Sequence, residues 1–220
     1  MATRKYEQKR RAEQQAETRR RIVEAILALH GEVGPARTTI KAIAERAGVE
    51  RLTVYRHFAD EAEMFQACSA HFAAAVPPPD PAVWAGVRDP AERLRAALLA
   101  FYAYYRRAEA TLTHVTRDAP RLPALAAVLT PWHEFVGAVR ESLLEGWEAH
   151  GRQRARLAAA LAHALRFETW QSLARVEALS DADAAELMVG LARAAAGAVP
   201  RGRAARSGAA AATKRSRRAG

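Results

Sequence analysis

Cysteine is nearly missing from this sequence. Cys68 is the single one in 220 residues, which excludes a disulfide framework and a cysteine-based zinc site. Long hydrophobic runs are missing too. The longest stretch without a polar interruption, Ala96–Tyr105, is about half the ~20 residues that a membrane-spanning helix requires. The apolar stretch 22–29 is broken by Glu24, so no secretory signal is expected. Valine and isoleucine together number only 18, too few for extended sheet. Paired carboxylates, a nucleophile–base arrangement and a phosphate-cradling glycine loop are not found. His114 and His163 lack metal-ligand spacing and read as polar groups in or near the core. No enzymatic activity, cofactor, metal or membrane partner is expected.

What is abundant is alanine, 54 residues of it, and alanine is the best helix former. The fold class is therefore read as all-α, with about nine helices. The formal net charge is +10, but it is unevenly placed. Residues 1–21 carry +5 and residues 201–220 carry +7, which leaves the body between them at −2. Basic arms on a near-neutral body suggest a polyanion, nucleic acid before a membrane surface. Of the 34 basic residues 30 are arginine, and coding bias alone could produce that richness.

Along the chain, residues 1–17 read as a polar arm, either loose or a solvated helical extension. From Thr18 a helical period begins, with Ile22, Ala25, Ile26 and Leu29 on one face and Gly31 and Gly34 closing it. A short helix follows Thr38–Thr39 and breaks at Gly48. A second short one spans Glu50 to about His57. Asp60 caps a fourth helix with Met64, Phe65, Cys68 and Phe72 at spacings of three and four. Cys68 is expected to be plain core. The proline-rich run 77–81 reads as a stiff linker. Five more helices are expected at about 90–107, 109–116, 121–149, 152–178 and 181–197, with Pro131 kinking or restarting the third. Residues 201–220 are expected to be a disordered basic tail. The implied domains are 1–17, 18–76, 77–200 and 201–220.

Residues 38–58 carry the most specific signal. They form helix, glycine turn, helix, anchored by Ile40, Ile43, Ala44, Val49, Val54 and Phe58. A short second helix held this way can project its other face into a DNA major groove. That face would offer Arg51, Leu52, Thr53, Tyr55, Arg56 and His57. Arginine can read guanine, and threonine and leucine methyls can touch the thymine methyl.

The string Ile-Ala-x-x-Ala-Gly-Val followed by Thr-x-Tyr-x-His-Phe, with Thr-Arg-Arg-Arg-Ile about twenty residues earlier, resembles the TetR family of bacterial repressors. The resemblance covers residues 18–72. It implies an N-terminal DNA-binding domain and a helical domain for ligand binding and dimerisation. It places Thr39 and Lys41 at the start of the second helix, facing backbone or groove. Arg51, Leu52 and Thr53 take the base-reading end, and Tyr55 and His57 hold phosphates. Two positions depart from the pattern. Glu50 replaces a serine often found at the recognition-helix cap, and Glu61 replaces a phosphate-binding lysine. Arg19–Arg21 or the N-terminal arm could substitute for the latter.

The second domain is rich in aromatics. Tyr102, Tyr105, Trp132, Phe135, Phe167 and Trp170 are the candidates for a ligand pocket, since such pockets are mostly apolar, although core packing could claim each of them. Leu157, Leu161 and Leu165 line one face of the helix expected at 152–178, and His163, Phe167, Trp170 and Ala174 line another. A helix apolar on two sides must be covered twice. With the last helix it could build a four-helix dimer interface. The expected function is a homodimeric regulator of double-stranded DNA in the bacterial cytoplasm, associated with the nucleoid when bound. It would act as a repressor at a near-palindromic operator, released by a largely apolar effector. The alternative is an architectural protein that coats DNA through its basic arms.

Overall fold

The computed structural model describes residues 2–197, with side chains from Tyr6 onward; the tail expected at 201–220 lies outside the described residues. Helix α1 runs unbroken from Ala2 to Glu32, so the N-terminal arm takes the helical of its two expected forms. Ion pairs one turn apart support it, Lys9–Glu13 at 3.8 Å and Arg20–Glu17 at 2.6 Å. Its C-terminal half buries Ile22, Val23, Ile26 and Leu29. Gly34 and a 3-10 turn at Pro35–Arg37 lead to α2, Ile40–Ala47. Gly48 ends α2 in the left-handed conformation (φ 64°), which glycine adopts without a Cβ clash. Helices α3, Arg51–His57, and α4, Glu61–Ala75, complete the N-terminal domain.

The proline-rich segment is followed by a single turn, α5, Ala82–Ala85, which plants the buried Trp84 in the second domain. Helix α6 then spans Pro90–Asp118. Asp89 caps it by accepting from the N–H groups of Ala91 and Glu92, both at 2.9 Å. The two helices expected at 90–107 and 109–116 are thus one. The segment holds no breaker, and Ala108 is buried within it. The helix expected at 121–149 divides instead into α7, Pro123–Val128, and α8, Thr130–Leu143. Pro123 and Pro131 each lie in a first turn, where a missing N–H costs nothing.

The helix expected at 152–178 is also divided, into α9, Gly151–Ala164, and α10, Phe167–Gln171, followed by a π-turn at Ser172–Val176. No proline or glycine marks the break. It is held by side chains that take the carbonyls freed at the end of α9. Tyr102 donates to Ala164 O at 3.1 Å, Tyr105 donates to Leu165 O, and Thr169 donates to His163 O at 2.6 Å. Unpaired buried carbonyls are costly, so the two tyrosines make the break tolerable, while His163 O also accepts from Arg166 N at 3.2 Å. The break also corrects the two-faced reading of this segment. Phe167 and Trp170 turn into the same core as Leu157, Leu161 and Leu165, while His163 is exposed. Helix α11, Asp181–Ala195, starts at Ser180, whose hydroxyl accepts from Asp183 N at 3.1 Å.

Two main cores result. One joins α1 through α4 around Ile22, Ile26, Ile43, Val54 and Phe58. The other joins α5, α6 and α8–α11 around Leu98, Phe101, Tyr105, Leu161 and Trp170. Phe65, Val115 and Leu125 form a smaller cluster where α4 meets α6 and α7. Eleven α-helices and no strand occur among the described residues, and none of those helices is long and apolar enough to cross a membrane.

Candidate nucleic-acid interface and adjoining cavity

Helix α3 has fewer than two turns, so packing and not propensity must hold it. Val54 is fully buried beneath it, and Phe58 closes its C-terminal end. The Arg19 guanidinium lies 4.2 Å from the centre of the Phe58 ring, donates to His57 O at 2.7 Å and pairs with Glu63 at 3.1 Å. Glu63 also accepts from Ala59 N, and Asp60 caps α4 by accepting from Glu63 N. The loop after α3 is therefore tied at both ends. At the N-terminal end Glu50 occupies the cap position without a side-chain hydrogen bond, so its carboxylate does not satisfy the helix N–H groups.

With Val54 and Phe58 turned inward, Arg51, Leu52, Tyr55 and Arg56 are exposed, and Thr53 and His57 are half-buried. Leu52 and Tyr55 keep 58% and 59% of their surface, so both side chains are free to meet a partner. Lys41 is exposed on α2, 3.8 Å from Glu45. Thr39 is exposed as well, but its hydroxyl oxygen caps α2 by accepting from Ala42 N at 3.1 Å. Glu61 is exposed in the first turn of α4 and lines a crevice with Tyr55. Of the arginines that could compensate for Glu61, Arg19 is committed to Phe58 and Glu63. Arg20 is committed to Glu17 and Glu24. Among the described residues, Arg21 alone of the three makes no ion pair.

A cavity of about 490 Å³ lies where the two domains meet. Its walls come from α1 and α4 on one side and from α6, α7 and α8 on the other. Of the six pocket candidates, Trp132 and Phe135 line it. Tyr102, Tyr105, Phe167 and Trp170 do not. They are core, with Tyr102, Tyr105 and Trp170 at most 2% exposed and Phe167 packed edge-on against Tyr105. Their polar tips are occupied, two on the carbonyls freed by the α9–α10 break, and Trp170 Nε1 donating to Asp181 at 3.0 Å. Helical spacing identifies aromatic faces but does not tell which face a cavity will meet.

Among the described residues, no charged side chain lines the cavity. Its polar groups are His30, Ser69, Thr111 and Tyr104, with the Cys68 thiol beside His30. Cys68 is buried, as expected of core, and its Sγ lies 3.6 Å from His30 Nδ1. Burial pushes the thiol pKa up to about 12, so it stays protonated and weakly reactive. Burial likewise holds the His30 imidazole down to about 4, although the negative charge of Asp118 pulls the other way.

Asp118, at the C-terminal end of α6, accepts from Ala36 N at 3.0 Å in the turn before α2. It is 2% exposed and pairs with Arg117 at 2.7 Å. The Arg117 hydrogen bond holds the Asp118 carboxyl below its ordinary range, and the Ala36 N–H adds to this against the opposing effect of burial. One buried carboxylate thus joins the two domains. Neither Asp118 nor His30 stands out in the sequence, because nothing local distinguishes them from surface residues on a helix. Gly34-Pro35 is the one local signal of a special turn.

Residues 22–68 match the family model described as bacterial regulatory proteins, tetR family. Over 59 residues the chain is 46% identical to the HTH-type transcriptional regulator TtgR of Pseudomonas putida, a match covering 27% of this chain and 28% of that one. Among solved structures, a TetR-like transcriptional regulator from Rhodococcus sp. RHA1 superposes with a TM-score of 0.59 at 23% identity, over 82% of this chain and 96% of that one. The ketosteroid transcriptional regulator KstR2 of Mycobacterium tuberculosis does so with a TM-score of 0.52 at 20% identity, over 81% and 93%. At these identities the likeness beyond residue 68 concerns fold alone. The helix-turn-helix segment, residues 22–68, is thus similar to the tetR family of bacterial regulatory proteins, and the chain shares the fold of TetR-like regulators.

Proposed function

We propose that this protein is a homodimeric, sequence-specific DNA-binding repressor in the bacterial cytoplasm, released from a near-palindromic operator by an uncharged, largely apolar small molecule. The observation that carries this reading is α3. A helix pinned by Val54, Phe58 and Arg19 turns Arg51, Leu52, Tyr55 and Arg56 outward, which is what a helix entering a major groove requires. Arg51, Leu52 and Thr53 read bases, Thr39, Tyr55 and His57 hold the backbone, and Lys41 and Arg56 add phosphate contacts. Arg51→Ala is expected to reduce discrimination at one base pair by about 1–3 kcal/mol. Tyr55→Phe should weaken binding to all duplexes alike. Titrating both variants against a duplex selected by the parent protein and against single-base variants of it separates the two effects. Equal affinity of both variants and the parent for every duplex would exclude α3 as the reading element.

The effector site in this reading is the cavity between the domains. Because no charged side chain among the described residues lines it, an ionised ligand would be buried without a partner, at a cost of several kcal/mol. An occupant that spreads the walls moves α1 and α4 relative to α6. Its effect on DNA binding is limited by its differential affinity for the two arrangements. Trp132 lines the cavity, so binding of a neutral hydrophobe is expected to change tryptophan fluorescence and to weaken operator binding in the same titration. A ligand that does the first without the second would show a site uncoupled from DNA.

Dimerisation is supported by α11. Leu187 and Leu191 are 51% and 43% exposed, and Gly190 lies between them with open space before it. Leucines one turn apart beside a glycine allow close approach of a second helix.

A further inference from the structure

We propose that the N-terminal half of α1 is a helical DNA-backbone contact that grips the duplex beside the site entered by α3. This rests on the DNA-binding reading of α3 and adds to it a second surface and its register.

The direction of α1 is set at both ends. Its C-terminal end meets the second domain, where Arg117 donates to Val33 O at 3.4 Å and Thr111 stands 3.8 Å from where a side chain on Gly31 would begin. Farther toward the N-terminus, α1 crosses the helix-turn-helix. Arg21 lies 3.9 Å from where a side chain on Gly48 would begin, and Arg19 holds the opposite end of α3 at His57. Residues before 18 therefore project past the recognition helix, away from the second domain. Residues 2–17 are helical and extend about 24 Å at 1.5 Å per residue. That is twice the ~12 Å width of the major groove, long enough to reach along the flank of a duplex seated on α3.

The chemistry of the extension matches that neighbour. Residues 6–17 are all exposed, and only Tyr6, Ala12 and Ala16 among them are apolar, too little to bury against a protein. The face of α1 that packs Ile22 and Ile26 into the domain continues backward, at steps of three and four, as Arg19, Gln15, Arg11 and Gln8. This row holds no acid. The three acids of residues 6–17, Glu7, Glu13 and Glu17, fall elsewhere, and the last two pair with Lys9 and Arg20. Among the described residues, neither Arg11 on this row nor Arg10, on another face beside Glu13 and Glu17, makes an ion pair. Arginines without a carboxylate partner, interleaved with glutamines, are suited to phosphate oxygens and carry no base preference.

The experiment uses a duplex selected by the full chain from a randomised pool, with the full chain, a chain lacking residues 2–16, and the Arg10→Ala/Arg11→Ala variant. Removing one phosphate-binding side chain should make the slope of log affinity against log salt shallower by about 0.9. The truncated chain is expected to lose at least two such steps per protomer and about tenfold in affinity near 0.15 M salt. Its footprint should contract at both outer edges, while its preference for the selected duplex over a scrambled one is retained. The double variant should reproduce most of the change in slope in a chain that melts like the parent. An unchanged slope and footprint in both variants would overturn the proposal, as would loss of self-association in place of loss of salt dependence. A full chain that selects no duplex would instead overturn the reading of α3 itself.

Discussion

Gly34→Ala is expected to destabilise the protein by about 3–5 kcal/mol and to loosen the connection between the domains. Gly34 has φ 93° and ψ 160°, a region open essentially to glycine, and forcing another residue there costs about 1–3 kcal/mol. A Cβ at this position would lie 2.7 Å from Asp118 Oδ2 and closer still to the Arg117 guanidinium. The carboxylate would have to move, and with it the hydrogen bond to Ala36 N, worth about 1.5–3 kcal/mol for a charged acceptor. For a chain of this length that corresponds to a melting temperature lower by about 10 °C. Gly137→Ala on α8 is the control. A Cβ there meets nothing within 4 Å, and in a helix interior alanine is favoured over glycine by about 0.5–1 kcal/mol. Differential scanning calorimetry should therefore show the two variants moving in opposite directions. A Gly34→Ala protein that melts with the parent would show that the turn does not hold the domains in the arrangement described.

The second large effect concerns pH. His30 lines the cavity, is 5% exposed, and has its pKa lowered to about 4 by burial from an ordinary 6.5. Between those values the unfolded chain binds a proton that the folded chain does not. Stability is therefore complete above about pH 6.5 and falls as pH is lowered toward 4, by about 3 kcal/mol over the whole interval. Asp118 acts at lower pH. Its carboxyl is held below 3.8 by Arg117, so its contribution is lost only as pH falls through that lower value. His30→Leu keeps the apolar contact with Phe65, whose ring centre lies 5.6 Å from that of the imidazole. It should flatten the loss between pH 6.5 and 4 and leave the loss below 4 intact. Urea unfolding at a series of pH values tests this. A variant as acid-sensitive as the parent above pH 4 would show that another group carries the titration.

Much of the N-terminal domain is legible in the sequence because its signals are local. Gly48 must end α2, since the turn demands positive φ, and the inward set Ile43, Ala44, Val54 and Phe58 is read from spacing alone. The outward set on α3 follows by exclusion. The second domain is less legible. Ala108 gives no sign that α6 passes through it, and the break after α9 is made by Tyr102 and Tyr105, about sixty residues away in sequence. Helical spacing points to the same tyrosines as pocket residues, because it reports a shared face and not what covers it.

The sequence by itself determined that this chain is helical and that a helix-turn-helix lies at 38–58. It also placed the basic charge largely in two arms. These properties depend on composition, on glycine geometry and on periods of three and four, all short-range. The tertiary structure decided which aromatics close the core and which line the cavity. It also decided that His30 is buried next to Cys68, and that Asp118 ties α6 to the turn before α2. Those outcomes depend on the meeting of segments far apart in the chain, where burial shifts a pKa and a distant hydroxyl satisfies a carbonyl that its own helix leaves free.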